Sequence, residues 1–188
     1  PAMDPIHSVI PVPTEEELIS LLGEGSQDYL AQGITTNTDA AVGEEINVHL
    51  KAAEKGINPM RAQLMIMHTL LRKDGIFGGY TAEQLDHEIK EKSNGRARLD
   101  SAKIFQDGSI QGLTGALRKP YYNEPDIMGE LFHKQQDFNE EILDLHKRGF
   151  RIAIHGNGDR AIGSILDGYT YALDYAPRED HRHRIGDV

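Results

Sequence analysis

The side chains of this sequence that could do chemistry stand mostly at the ends of apolar runs. His155 follows the run Phe150-Arg151-Ile152-Ala153-Ile154, His68 follows the run at 61–67, and Asp107 and Ser109 follow the run at 99–105. Asp39 comes just after Ile34-Thr35-Thr36-Asn37-Thr38, and Asn157, Asp159 and Arg160 come just after His155. Lys103 differs from these because it sits inside an apolar run, where an unpaired ammonium is costly. There is no cysteine, so disulfides and thiolate ligands are excluded, and a metal would have to sit on His, carboxylate or a modified Lys.

Each of these residues also has a plainer role open to it. A lone His at a strand end, such as His68 or His155, can be a hydrogen-bonded rim residue. Asp107 can shape its loop through an Asx-type turn or contact substrate, and Asp159 is placed to N-cap the helix that follows it. Arg160 can pair with a carboxylate or contact substrate. His181 and His183 have an H-x-H spacing that would put both imidazoles on one face of a strand, but the flanking Arg182 and Arg184 point to a solvated, frayed segment.

The elements that must position these residues follow from periodicity and capping. Thr14-Glu15-Glu16-Glu17 is a capping box with acidic residues in the first turn, which predicts a helix over 15–31. Gln32-Gly33 stops it, and the β-branched run at 34–38 suits a first strand. A helix over 44–55, a strand over 61–67, a helix over 81–92 and a strand over 99–105 follow, each bounded by Gly, Pro or Asn. The polar segment 106–125 is expected to be loop. Ile127, Leu131, Phe138, Ile142 and Leu145 predict a helix over 126–148, the fourth strand covers 150–154, and the last helix covers 159–175.

Four alternations of strand and helix imply an α/β protein with a parallel sheet and right-handed crossovers, either doubly wound or part of a (β/α)8 barrel. In both architectures the site lies at the C-terminal ends of the strands, where the polar residues gather.

At 188 residues the chain suits one domain, read here as 6–188 behind a vector remnant at 1–5. The formal charge of -10 comes from acidic residues interleaved with basic ones, which makes nucleic acid a poor partner. No apolar run approaches the roughly 20 residues of a membrane span, and the missing thiols fit a cytoplasmic protein. Gly156-x-Gly158 could suggest a phosphate-binding turn, but the next glycine is Gly163, so the dinucleotide spacing fails.

Two longer blocks are more specific. Lys103-Ile104-Phe105-Gln106-Asp107-Gly108-Ser109, continuing through Thr114-Gly115-Ala116-Leu117 to Pro120-Tyr121, resembles the "KIF-DGS…T-AL…PY" block of amidohydrolase family 3, the branch that includes N-substituted formamide deformylases. His155-Gly156-Asn157-Gly158-Asp159-Arg160-Ala161-Ile162 resembles its "H-x-x-GDRAI" block, and Arg182-His183-Arg184-Ile185 resembles the start of its "RHRIEH" block. The order and spacing agree over nearly the whole chain.

The resemblance implies a distorted (β/α)8 barrel that uses one or two divalent metals, usually zinc, to direct hydroxide at an amide-like carbon of a small molecule. His155 matches the family's strand-five metal ligand. Lys103 matches the strand-four lysine that can be carboxylated to bridge two metals; uncarboxylated, it would donate to a carboxylate such as Asp107. His68, Asp107 and Arg160 are the candidates for the substrate pocket.

By this alignment the chain carries strands two to five, and Gly186-Asp187 stands where the family has the Glu-His of strand six. The first-strand His-x-His pair, the sixth-strand His and the eighth-strand Asp are then missing, so the rival expectation is an inert half barrel. Its open sheet edges and inner face should drive it to a homodimer or higher oligomer.

Overall fold

A computed structural model describes residues 4–186. Residues 1–3, and with them most of the expected vector remnant, lie outside the described residues, as do Asp187 and Val188. Five strands, β1 (Thr36–Val42), β2 (Arg61–Met67), β3 (Ala97–Phe105), β4 (Ile152–His155) and β5 (Arg184–Gly186), form one sheet in the order of the sequence. Every neighbouring pair is parallel. The helices are α1 (Asp4–His7), α2 (Glu15–Ala31), α3 (Ile46–Glu54), α4 (His68–Leu71), α5 (Ala82–Lys92), α6 (Gln135–Lys147) and α7 (Asp159–Tyr175). In-order parallel neighbours joined by helical crossovers are the arrangement of a barrel segment, and the four expected βα units are present.

Strand alternation sorts the sheet into two faces. Ala62, Leu64, Ile66, Ala102, Ile104, Ile152 and Ile154 are buried in one core cluster with Leu85 and Ile89 of α5, Phe138 and Ile142 of α6 and Ile165 of α7. The alternate residues, Gln63, Met65 and Met67 on β2, Ser101, Lys103 and Phe105 on β3, and His155 on β4, occupy the opposite face. There Gln63 is exposed, and Met65, Met67 and Phe105 are partly so.

The capping box at Thr14 forms as expected, with Thr14 Oγ1 accepting from Glu17 N–H and Glu17 accepting from Thr14 N–H. Three other expectations need correction. The helix expected from residue 126 begins at Gln135, because the backbone before it is committed to the preceding loop. Leu117 donates to Met128 O, Tyr121 to Ile127 O, and Phe132 to Gln106 O. Gly129 adds a break, with φ at +64° and no room for a Cβ, which would lie 2.1 Å from the Gly115 carbonyl oxygen.

The segment expected to fray instead supplies β5. Ile185 packs against the core, Tyr169 Oη lies 2.8 Å from Arg184 O, and Arg184 pairs with the buried Asp100. Finally, Asp159 does not cap α7. The N-cap is Gly158, and Asp159 Oδ1 accepts the N–H of Arg118 in the loop after β3.

On the helix-covered side, α4 is tied to α6 by a charged cluster. Glu141 accepts from His68 Nδ1 at 2.6 Å and from Arg72 Nε and Nη2 at 2.8 and 3.0 Å. Burial alone would raise the pKa of Glu141, but the hydrogen bonds and charges of His68 and Arg72 outweigh it and hold the carboxyl at about 2. A depressed carboxyl pKa stabilises the fold above the unfolded value near 4.5, and that stabilisation is lost as pH falls towards 2. Because the Arg72 side chain is 43% exposed, we expect this group to contribute about 2 kcal/mol rather than the full converted shift. In urea unfolding between pH 5 and pH 2.5, Glu141→Gln should flatten the acid dependence by about that amount; curves that stay parallel to wild type would refute the assignment.

Candidate functional site

Parallel register brings Lys103 and His155 to neighbouring positions at the C-terminal end of the sheet. Lys103 lies opposite Ala153, and Phe105 lies opposite His155. Since Lys103, Phe105 and His155 share the open face, the Lys103 ammonium sits 4.9 Å from the Phe105 ring centroid, and the Phe105 and His155 rings are 5.2 Å apart. Lys103 is only 3 % exposed, which is unusual for an ammonium and marks the position as specialised.

The orientation of His155 is set by the loop after β3. Its Nε2 lies 2.9 Å from the Gly108 carbonyl, which can only accept, so this contact calls for a proton on Nε2, and Asn157 Nδ2 stands 3.3 Å from the same nitrogen. Asn157 Nδ2 donates to the same carbonyl at 2.9 Å.

Asp107 is 1 % exposed and makes no local Asx turn. Its Oδ2 accepts from Ala116 N–H at 2.7 Å and Gly158 N–H at 2.8 Å, and its Oδ1 accepts from Asn157 N–H at 3.0 Å. Both oxygens are therefore engaged with backbone donors, one carboxylate fixing the loop and the turn after β4 together. The Asp107 Oδ1 to His155 Nε2 distance is 3.7 Å, too long for a hydrogen bond.

Arg160 works on the same junction. Its Nη2 donates to Gly129 O at 2.7 Å, and its backbone N–H donates to Ala116 O. The approach is so close that a Cβ on Gly158 would lie 2.0 Å from Ala116 O.

The structure thus brings together Lys103 and His155, with Asp107 and Arg160 behind the loop that frames them. His68 follows Met67 at the end of β2 and turns to the helix side, against Glu141 and the edge of His133. Glu141 was not anticipated, because one acidic residue on an amphipathic helix carries no signal of its partner on another element. The Gly108 carbonyl was equally invisible, since a backbone acceptor leaves no residue-type signature.

The donor set can be compared with what a metal requires. A closed site takes about four ligands and a catalytic one at least three from protein. Among the described residues, no group of three or more His, Cys, Asp or Glu side chains stands together as ligands. The described residues therefore do not by themselves fit a complete metal centre, although Lys103 and His155 share a face on which one could be completed. None of the helices among the described residues is long and apolar enough to cross a membrane.

The sequence and the fold are similar to those of known proteins. The putative amidohydrolase YtcJ of Bacillus subtilis (strain 168) is 26% identical over 190 residues, covering 97% of this chain and 32% of its own length. The exoenzymes regulatory protein AepA of Pectobacterium carotovorum subsp. carotovorum is 34% identical over 83 residues, 44% of this chain and 17% of its own. Among solved structures, an uncharacterized metal-dependent hydrolase from Pyrococcus furiosus superposes with a TM-score of 0.75 at 23% identity, covering 98% of this chain and 36% of that one. One from Pyrococcus horikoshii OT3 gives 0.70 at 21% identity, covering 84% and 31%. The chain therefore spans about a third of the length of YtcJ and of these two structures. With the amidohydrolase family model matching residues 2–188, this chain belongs to the amidohydrolase family.

Proposed function

We propose that this chain is a segment of a metal-dependent hydrolase that cleaves non-peptide carbon–nitrogen bonds in amide-like small molecules, and that Lys103 and His155 face its divalent metal, zinc. The observation that supports this reading is the placement of the two side chains on one face of adjacent parallel strands, at the strand ends where barrel enzymes keep their sites. His155 contributes an imidazole whose ring is oriented by the Gly108 carbonyl. Lys103 contributes an oxygen ligand if carboxylated; as an ammonium it has no lone pair for a metal and would donate to a carboxylate. Asp107 and Arg160 act on the pocket through the loop they anchor, and His68 through the start of α4. A cysteine-free composition is in keeping with a cytoplasmic setting.

Zinc content after dialysis against a defined zinc buffer tests this directly. His155→Ala should lower zinc affinity at least about tenfold while leaving the circular dichroism spectrum unchanged. Equal zinc in both proteins, or none in either, would overturn the ligand role.

A second reading is that the chain on its own folds as an inert half barrel and self-associates. It is favoured by the incomplete donor set among the described residues and by the partly exposed Met65, Met67 and Phe105 on the open face. Sedimentation equilibrium at micromolar concentration should then give a dimer or larger species, and a compact monomer would contradict it.

A further inference from the structure

A chain of hydrogen bonds away from the metal-facing side joins β5 to the rest of the fold. His146 on α6 has Nε2 2.6 Å from Ala176 O and Nδ1 2.8 Å from His183 Nε2. His183, just before β5, has Nδ1 3.1 Å from the backbone N of Ile152 in β4. The direction of every bond is fixed by its ends. A carbonyl can only accept, so His146 carries its proton on Nε2 and offers a lone pair at Nδ1. His183 Nε2 must then donate to that lone pair, which leaves His183 Nδ1 as the acceptor for Ile152 N–H. All four ring nitrogens are used, with both rings neutral.

A proton added anywhere in this pair places donor against donor. On His183 Nδ1 it meets Ile152 N–H. On His146 Nδ1 it meets His183 Nε2–H, and shifting that proton across the second ring only moves the conflict to Ile152.

The surroundings oppose a positive charge as well. Arg178 donates to His146 O, Phe150 O and His181 O, which brings its guanidinium beside the rings. His181 Nδ1 accepts the backbone N–H of His183, and from α7 the Tyr169 ring stacks on His183 at 5.0 Å. Of the carboxylates near the pair, Asp180 is engaged with Arg182 and Asp100 with Arg184, while Glu179 adjoins Arg178 in sequence.

We propose that His146 and His183 form a proton-sensitive latch that fastens β5 to β4 and α6 and opens in mild acid. Burial, reinforced by His181, Arg178 and His146, pushes His183 down to about 3, and burial also lowers His146. A His whose pKa is depressed in the closed state stabilises that state above its free value near 6.5, and the stabilisation is lost as pH falls below it. Each such His can raise the opening constant up to about tenfold per pH unit, so the pair can reach about a hundredfold.

Native-state hydrogen exchange on the whole chain reads the latch. The reporters are the amide of Ile152, bonded to His183, and that of Gly156, bonded to Gly186 O; Ala62, bonded to Arg96 O, is the control. After division by intrinsic exchange rates, the opening constant at Ile152 and Gly156 should rise between ten- and a hundredfold from pH 6 to pH 5, with little change at Ala62. His183→Asn keeps an acceptor for Ile152 N–H but cannot titrate, so it should cut the rise to tenfold or less. Equal pH dependence at Ile152 and Ala62, or an undiminished rise in the variant, would overturn the latch. Nitrogen-15 spectra of the wild-type rings provide a test that needs no variant: both must be neutral with the proton on Nε2 at pH 6, and a charged ring or an Nδ1-protonated tautomer would refute the proposal.

Discussion

Parallel pairing of strands in the order of the sequence is the constraint from which the rest of this structure follows. Each strand must be returned to the same end by a crossover, so helices cover one face and the strand C-termini all point one way. The two-residue alternation then divides each strand between a helix-covered core and an open face. Lys103 and His155 come to one face for this reason alone: they lie 52 positions apart in sequence, yet fall two residues apart in register on adjacent strands.

A long connection after β3 makes that face specific. The loop is held by the buried Asp107 carboxylate, which gathers backbone N–H groups from the loop and from the turn after β4. Charge-assisted bonds to backbone donors are among the stronger ones available, and in a buried position they lock the participants. The loop in turn presents the Gly108 carbonyl that orients the ring of His155. Arg160, through Gly129, and Gly158, through its close contact with Ala116, complete the same junction. A site of this kind is assembled by second partners as much as by the residues that face the open side.

Much of this was legible in the sequence. The apolar run ending at Met67, the run with Lys103 inside it and the run ending before His155 carry strand periodicity, and the Thr14 capping box announced α2. Alternation alone implied a parallel sheet, doubly wound or part of a barrel, while the likeness of two blocks to a known family pointed to the barrel and to which strand ends matter.

What stayed hidden was long-range. Residues 126–134 have helical apolar spacing, but their backbone groups are drawn to Gln106 and the loop at 117–121, a competition that no local pattern reports. β5 is only three residues long and flanked by charges, and it exists because Asp100, Tyr169 and His183 receive it. The tautomer chain through His146 is likewise visible only once α6 and β5 are in place.

Whether the divalent metal we propose sits on the open face around Lys103 and His155 can be read from anomalous diffraction at the zinc edge of zinc-soaked crystals. An anomalous peak on that face beside the His155 and Lys103 side chains is the expected result. A peak confined to the His146, His181 and His183 cluster, or no peak at all, would contradict it.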